Sequence, residues 1–213
     1  VFDASNQEVA DYNLKEGDTV LLSFNSNPLA IFEIEEVFTY NRAEMAQDVY
    51  GTKDEKHPGV KRTLTYKDKF LGGKVTLVNL PKVREPFTPY FLTPREHRER
   101  FQQKGWQRIV AHQTRNVPHT GHEWLMKHAW MATHGELSME ETEEGKGITV
   151  ILVNCITGEK RTGDYIDEAM VLAQDGLRKY GYFSEDIHMV SLTFWDMLYA
   201  GPNEAIHHAI IRT

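Results

Sequence analysis

Residues 108–123 have the sequence RIVAHQTRNVPHTGHE, in which an apolar run leads into polar residues and then into the start of a helix. Ile109, Val110 and Ala111 predict a buried strand, and the pattern from Glu123 onward predicts a helix. Ligands of open α/β sheets bind at the carboxyl ends of strands. A helix N-terminus adds unpaired amides and partial positive charge. The stretch therefore predicts an α/β domain with an anion site at this junction.

Strands and helices alternate through the rest of the chain after residue 91. Thr93 and Glu96 form a capping box that begins a helix, and Gly105 ends that helix. Further strands are predicted at 108–112, 149–156 and 187–194, and further helices at 123–134, after an Asp164 cap, and at 202–211. This alternation predicts a doubly wound parallel sheet. The acidic stretch 138–147 is typical of a solvated loop.

Residues 1–90 have a different pattern, with strands separated by turn residues. Strands are predicted at 19–24, 29–38 and 74–80, and a short helix at 41–49. Gly72 and Gly73 are interpreted as the turn that opens the last of these strands. Several strands with one helix indicate a small barrel or sandwich. We therefore expect two domains, residues 1–90 and 91–213, with the boundary between Val83 and Leu92.

The composition is that of a folded protein and narrows the range of partners. The 213 residues are 40% hydrophobic and 26% charged, which excludes a disordered or fibrous chain. The net charge of −7 disfavours nucleic-acid binding, because that binding depends on phosphate contacts. The single cysteine, Cys155, fits a reducing cytosol, and no apolar run is long enough to span a membrane. We expect a cytoplasmic protein with neither nucleic-acid nor membrane partners.

The junction at 113–122 carries side chains suited to an oxyanion. His119 and His122 are three residues apart and share a face of the first helical turn. Gly121 between them lets a ligand approach the backbone closely. Arg115 can grip a tetrahedral oxyanion through its planar guanidinium. Two neutral donors flank it, Gln113 and Asn116. Together these residues predict a cradle for an oxyanion and a phosphate, without a carboxylate nucleophile or a cysteine.

Two other interpretations of the histidines compete with this one. A pair of histidines three residues apart also occurs by chance, but the strand-to-helix context and the intervening glycine favour a functional site. Zinc ligation by His119, His122, His128 and Glu123 is the second alternative. The helical register disfavours it because His128 faces away from His122, and no cysteine pair supports zinc. We therefore expect no metal bound by these side chains.

The stretch QTRNVPHTGH at 113–122 resembles the signature of the ATP-sulfurylase family, part of the His-x-Gly-His nucleotidylyltransferase superfamily. Further stretches resemble the same family in the same order: YGTKD at 50–54 with HPGV at 57–60, FLTPRE at 91–96, and AGPNEA at 200–205 with HHAIIR at 207–212. The similarity covers essentially the whole chain. It implies a PUA-like, β-rich N-terminal domain followed by a Rossmann-like catalytic domain.

The resemblance implies sulfate adenylyltransferase activity, in which ATP and sulfate give adenylyl sulfate and pyrophosphate, or the reverse. Charge gathers on the phosphoryl oxygens and on the leaving pyrophosphate, and no proton need move. Positioning and electrostatic stabilisation should therefore carry catalysis. By the resemblance, Gln113 and Arg115 would hold sulfate, and Thr114, Arg115 and Asn116 would shape the site and contact the nucleotide phosphates.

The same resemblance implies that His119 and His122 stabilise the charge at the α- and β-phosphates in the transition state. Residues 114–116, 119 and 122 are then the expected catalytic set, and Gln113 joins them in binding ATP. Mg²⁺ would arrive with ATP, as MgATP, and not on a dedicated protein site. The implied partners are ATP, sulfate, adenylyl sulfate and pyrophosphate, in sulfur metabolism such as sulfate assimilation. A homo-oligomer, a dimer, is expected.

Two positions depart from the family pattern, which usually has arginine where Leu198 and Asn203 stand. The loss of two cations would weaken anion binding. The family also continues past residues 210–212 into a strand and a Gly-Arg-Asp-His-Ala segment, so we expect an internal fragment, partial at both ends. Two alternative functions follow: a catalytically silent nucleotide-binding fragment or homologue, and an RNA-binding module of the PUA type. The acidic net charge disfavours the second.

Overall fold

The computed structural model describes residues 2–135 and 148–211. The chain divides into two compact units: unit 1 comprises Val1–Lys82 and Leu198–Thr213, and unit 2 comprises Val83–Met197. The acidic stretch 138–147, predicted to be a loop, lies outside the described residues. Within the described residues, no helix combines the length and the apolar character that a membrane crossing requires.

Unit 1 contains a four-stranded antiparallel sheet in the order β1-β4-β3-β2. Its elements are β1 (Phe2–Ala4), α1 (Asn6–Asp11), β2 (Thr19–Phe24), β3 (Asn27–Phe38), α2 (Arg42–Tyr50), α3 (Pro58–Leu64), β4 (Lys69–Leu77) and a last helix at Pro202–Ile210. The strands predicted at 19–24 and 29–38 and the helix predicted at 41–49 are confirmed. The sequence did not reveal β1, α1 and α3, because 3 to 7 residues are too few for a periodic pattern.

Alternation along the strands builds the core of unit 1. Phe32 and Ile34 are two residues apart on β3 and point to the same side of the sheet, where both are buried. They pack with Leu71 of β4 and Ala4 of β1. Ile31 and Glu33, which alternate with them along the strand, face the other side of the sheet and are exposed. β3 therefore has one buried face, marked by Phe32 and Ile34.

Gly72 and Gly73 lie inside β4, so the prediction that they open the strand is wrong. The register between β3 and β4 shifts between Ile34 and Glu36, which face Gly73 and Gly72. This shift is a β-bulge. A Cβ atom on Gly73 would lie 1.9 Å from the carbonyl oxygen of Glu33. The close approach of two strands, and not a chain reversal, is what requires this glycine.

We predict that Gly73→Ala lowers the free energy of unfolding of unit 1 by about 1–3 kcal/mol, because the new methyl group overlaps a backbone oxygen. Gly72→Ala is the matched control: its Cβ would meet no atom closer than 3.6 Å, so a change within about 0.5 kcal/mol is expected. Hydrogen exchange of residues 69–77, followed by mass spectrometry in urea, measures both. Equal effects of the two substitutions would contradict the steric explanation.

Unit 2 contains a parallel sheet in the order β5-β6-β7. Its elements are a 3₁₀ turn (Thr88–Tyr90), α4 (Pro94–Lys104), β5 (Trp106–Thr114), α5 (Thr120–His134), β6 (Ile148–Thr157), α6 (Asp167–Lys179) and β7 (His188–Phe194). The helix at Pro202–Ile210 is α7. The predicted alternation of strands and helices is confirmed, and with it the α/β class.

The helix caps predicted for unit 2 are confirmed for α4 but not for α6. α4 begins with the capping box of Thr93 and Glu96 and ends at Gly105, whose φ is +69°. α6 was predicted to begin at an Asp164 cap, and this prediction is wrong. Its N-cap is Ile166. Asp164 is instead engaged in ion pairs with two arginines, as described below.

Helices cover both faces of the parallel sheet. Val153 of β6 packs on one face with Met126 of α5 and Met170 of α6. Leu152, its neighbour in the strand, packs on the opposite face, where Phe101 of α4 adds to the cluster. β6 is therefore buried on both sides, which explains why its sequence is apolar at nearly every position.

His188 is a buried polar group at the start of β7. It is 1% exposed, and neither ring nitrogen has a hydrogen-bond partner among the residues that the structure describes. Its ring stacks on Phe183, with the two centroids 4.8 Å apart. Burial, and secondarily the charge of Arg178, lower the pKa of His188 to about 4. The imidazole is therefore neutral in the folded protein at pH values where it titrates in the unfolded chain.

We predict that unit 2 loses stability as the pH falls from about 7.5 to about 5, because the unfolded chain binds a proton that folded His188 excludes. This difference in proton binding at His188 lowers the free energy of unfolding by about 2 kcal/mol over that pH range. His188→Leu should remove it and flatten the pH dependence. All four tryptophans lie in unit 2, so urea unfolding followed by tryptophan emission measures this unit. The exposed-site control His128→Gln should keep the slope, and an unchanged slope in His188→Leu would contradict the explanation.

Candidate active site

The six residues predicted to form the site lie on one strand–loop–helix connection of unit 2. Gln113 and Thr114 end β5, Arg115 and Asn116 lie in the loop, and His119 and His122 lie at the start of α5. Only residues 115–119 separate the strand from the helix. The structure therefore places all six at the carboxyl end of β5 and at the N-terminus of α5.

Two buried side chains fix the shape of the loop. The Thr114 hydroxyl accepts a hydrogen bond from the backbone N–H of Asn116 at 3.0 Å. The side-chain amide of Gln174, which is fully buried in α6, donates to the Asn116 carbonyl at 3.1 Å. Sequence reasoning did not find Gln174. Its only signal was its position four residues after Met170, on the side of α6 that faces the core.

Arg115 is held by a carboxylate from a different loop. Its Nε lies 3.5 Å from an oxygen of Asp164, and the other oxygen of Asp164 lies 3.4 Å from Nε of Arg161. The Asp164 side chain is 10% exposed and that of Arg115 is 29% exposed. A nearly buried carboxylate between two guanidinium groups orients both of them. The residue interpreted from sequence as a helix cap therefore positions the candidate anion-binding arginine.

His119 caps the helix that it begins. Its Nδ1 accepts a hydrogen bond from the backbone N–H of Gly121 at 3.0 Å. In the neutral ring the proton therefore lies on Nε2. A Cβ atom on Gly121 would lie 2.9 Å from Cε1 of His119. Gly121 was expected to let a ligand approach the backbone closely. In this structure the group that lies against its backbone is the His119 ring.

His122 lies directly beside His119. The two ring centroids are 4.0 Å apart. Burial, and then the neighbouring His119, lower the pKa of His122 below its usual value. Two imidazolium cations at this separation repel each other. His122 therefore offers a neutral ring N–H donor when no anion is present, next to the amides at the N-terminus of α5.

A buried polar layer continues from Gln113 across the sheet. Gln113 is in register with Asn154 of β6, and Asn154 with Ser191 of β7. Nδ2 of Asn154 donates to Ser191 Oγ at 2.9 Å, and the Thr193 hydroxyl donates to the side-chain Oδ1 of Asn154. Sequence reasoning did not find this layer. Its signal was an asparagine inside the otherwise apolar strand at 149–156.

The zinc alternative gains no support from the geometry. The Glu123 carboxylate pairs with Lys127 one turn further along α5, and His128 is exposed. Across residues 2–135 and 148–211, no group of three or more His, Cys, Asp or Glu side chains is placed to hold a metal ion.

The two positions that depart from the family pattern lie in unit 1, where both have structural partners. The buried carboxylate of Glu204 accepts from the backbone N–H groups of Leu198 at 2.8 Å and Ala200 at 3.2 Å. The Asn203 amide donates to the Val49 carbonyl at 3.1 Å. At the two positions where arginine is usual, Leu198 therefore contacts the Glu204 carboxylate through its backbone, and Asn203 holds the start of α7 through its side chain.

The site has the chemistry of an anion cradle. Arg115 supplies a cation, the two imidazoles and the helix N-terminus supply N–H donors, and Gln113 adds a neutral side chain. The one carboxylate among residues 113–123, Glu123, pairs with a lysine, and Asp164 from a different loop pairs with arginines, so neither is suited to attack a substrate. Such a site can hold and polarise tetrahedral anions by position and charge.

Comparisons with known proteins agree with this geometry. A sequence model of the ATP-sulfurylase family matches residues 88–213, and one of the PUA-like domain matches residues 1–80. The expected PUA-like and Rossmann-like halves are thereby confirmed. A solved hexameric APS kinase from Thiobacillus denitrificans shares the fold, with a TM-score of 0.65 over 98% of this chain and 34% of that chain, at 19% identity.

Curated relatives carry the comparison further. Sulfate adenylyltransferases are 40% identical to this chain in Archaeoglobus fulgidus, 40% in Hyperthermus butylicus and 37% in Pyrococcus abyssi. The alignments cover 100%, 100% and 96% of this chain but 47%, 49% and 49% of those relatives. The chain thus spans about half the length of the curated relatives it matches. With the strand–loop–helix cradle and the family match over residues 88–213, the chain belongs to the ATP-sulfurylase family.

Proposed function

We propose that this chain carries the adenylyl-transfer site of a sulfate adenylyltransferase, which makes adenylyl sulfate and pyrophosphate from ATP and sulfate or runs the reaction in reverse. The observation that carries the proposal is the junction between β5 and α5. It places a guanidinium, two imidazoles and a helix N-terminus around one connection of the chain. Relatives that share this segment bear the name sulfate adenylyltransferase.

The reaction needs binding and charge stabilisation more than proton transfer. A sulfate oxygen attacks the α-phosphorus of ATP and forms a new P–O bond. The bond from the α-phosphorus to the oxygen that bridges to the β-phosphorus breaks, and its electron pair leaves with pyrophosphate. Both reactants are anions, so donors held in place before they meet supply most of the catalysis.

Sulfate is the proposed ligand of Gln113 and Arg115. Asp164 holds the Arg115 guanidinium from the side of Nε, so the arginine loses little freedom when an anion binds. Gln113 lies at the end of the buried polar layer and adds a neutral side chain without further charge. A cation beside a neutral amide suits a dianion that must remain nucleophilic.

ATP is the proposed ligand of the loop and of the helix start. Thr114 and Asn116 shape the loop through their hydrogen bond and contact the phosphates. His119 and His122 direct ring N–H groups at the α- and β-phosphates, where charge increases in the transition state. Because burial keeps the pKa of His122 low, the ring stabilises that charge as a hydrogen-bond donor or by taking up a proton when the phosphates arrive.

Mg²⁺ is proposed to enter with ATP and to neutralise part of the triphosphate charge. The side chains at the junction are imidazoles and a guanidinium, which suit phosphate oxygens better than a hard cation. The carboxylates nearest to them, Asp164 and Glu123, already pair with basic side chains. The junction therefore fits a metal that the nucleotide carries, and not one that the chain holds.

Three further features belong to the proposal. The domain division at residues 1–90 and 91–213 is supported by the family matches, which divide the chain between residues 80 and 88, although residues 198–213 fall in compact unit 1. A homo-oligomer, a dimer, is supported by the exposed apolar side chains of α5, namely Trp124, Leu125 and Met131. A cytoplasmic location is supported by the single cysteine, Cys155, which is buried and unbridged.

The test is ATP formation from adenylyl sulfate and Mg–pyrophosphate, followed by luciferase luminescence, together with calorimetric titration of adenylyl sulfate into the chain. We expect ATP only when both substrates are present. Binding of adenylyl sulfate without turnover would favour a catalytically silent homologue, in which Leu198 and Asn203 replace needed arginines. The absence of both adenylyl sulfate binding and ATP formation would contradict the proposal.

We predict that Arg115→Ala lowers ATP formation at least about a hundredfold, because one cation at a developing charge contributes roughly 3 kcal/mol. Arg100→Ala is the matched control: it removes an exposed arginine from α4, outside the strand–loop–helix connection, and should leave the rate within about twofold. Circular dichroism checks that both variants fold. Activity of Arg115→Ala within about tenfold of the parent would contradict the assigned role.

A further inference from the structure

We propose that His112 is a positioning residue: its Nε2–H donates a hydrogen bond to Nδ1 of His122 and so fixes the proton of His122 on Nε2. This inference rests on the proposed function, since that function gives the Nε2–H of His122 a phosphate to bind. His112 precedes the junction residues and belongs to β5.

The two rings are close to hydrogen-bonding distance. The centroids of His112 and His122 are 5.7 Å apart, with an angle of 60° between the ring planes. A linear N–H···N bond between two imidazoles needs centroids about 5.2 Å apart, from an N···N distance of about 2.9 Å and two ring radii. The remaining gap is about half an ångström. Hydrogen bonds of active sites often shorten by such amounts when the substrate binds.

The atoms that would bond are the ones left without partners. Nε2 of His112 and Nδ1 of His122 are both buried, and neither has a hydrogen-bond partner in the part of the chain that the structure describes. Buried polar atoms without partners are uncommon and destabilising. A neutral imidazole has one donor and one acceptor nitrogen. One hydrogen bond between these rings would therefore satisfy both atoms.

The neighbouring His119 shows why His122 needs such a partner. The Gly121 amide donates to Nδ1 of His119 and so leaves the proton of that ring on Nε2. His119 cannot do the same for His122, because the two ring centroids are only 4.0 Å apart. That distance is too short for an in-plane N–H···N bond. His112 is the other ring in contact with His122.

The surroundings keep the pair neutral, as the hydrogen bond requires. Burial lowers the pKa of His112, and the adjacent His122 lowers it further. Burial and the adjacent His119 lower the pKa of His122. On the β6 side, the residue in register with His112 is the apolar Val153, which supplies no competing donor. Both rings are therefore neutral near pH 7, with one nitrogen of each available as donor and the other as acceptor.

The test is long-range ¹H–¹⁵N correlation NMR of the full chain with labelled histidines, at a pH where the imidazoles are neutral, without ligand and with pyrophosphate. We expect His122 to carry its proton on Nε2, most completely with pyrophosphate. His112→Phe, which keeps a ring but removes the donor, should give a mixture of the two tautomers. His112→Gln, whose amide places an N–H donor at a similar distance from the backbone, should restore the Nε2–H form.

Kinetics supply the second measurement. His112→Phe should lower kcat at least about tenfold while KM for adenylyl sulfate stays within about twofold, since a wrong tautomer weakens transition-state binding. His112→Gln should recover most of the rate. Tryptophan emission confirms that unit 2 folds in each variant.

Each outcome decides the proposal. An unchanged His122 tautomer in His112→Phe, or identical behaviour of the Phe and Gln variants, would overturn the role of His112, while Arg115-dependent ATP formation would leave the proposed function intact. If instead His112 sets the tautomer and no ATP forms, the proposed function fails and the hydrogen bond stands.

Discussion

The short connection between β5 and α5 is the constraint on which the candidate site depends. Only residues 115–119 join the last residue of the strand to the first turn of the helix. Because α5 and α6 pack on the sheet through one apolar cluster, the N-terminus of α5 cannot move away from the carboxyl end of β5. The backbone amides, the imidazoles and the guanidinium are thereby held together before an anion binds. Binding of an anion would therefore require little reorganisation of these groups.

Within that connection, Arg115 and the loop are held by partners from elsewhere in unit 2, and His119 by a partner two residues along the chain. Asp164 holds Arg115, Gln174 holds the loop through Asn116, and the Gly121 amide holds His119. The chain as a whole is acidic, with a net charge of −7. The proposed anion binding would therefore depend on a few donors directed at one place, and not on the general charge of the molecule.

Much of the fold and part of the site could be predicted from the sequence, because they depend on local patterns. The capping box at Thr93 predicted the start of α4, and the apolar run at 149–156 predicted the strand β6. Strand bulges have no such local pattern. Gly73 looked like a turn residue, and only the Glu33 carbonyl opposite it shows why a side chain is excluded. Asp164 likewise resembled a cap until its two arginine partners were known.

The sequence by itself predicted the fold class and the strand, loop and helix of the junction, since these follow from the periodicity and the spacing of neighbours along one stretch of chain, while the roles of the six side chains are what the resemblance to the ATP-sulfurylase family implies. Tertiary structure decided which distant residues orient the junction. Gln174 lies 58 residues from the carbonyl it holds, and the layer from Gln113 through Asn154 to Ser191 exists only through the register of three strands. The pairing of His112 with His122 depends in the same way on how α5 packs against β5. Hydrogen bonds and ring contacts act over a few ångströms, so their partners are set by packing and not by distance along the chain.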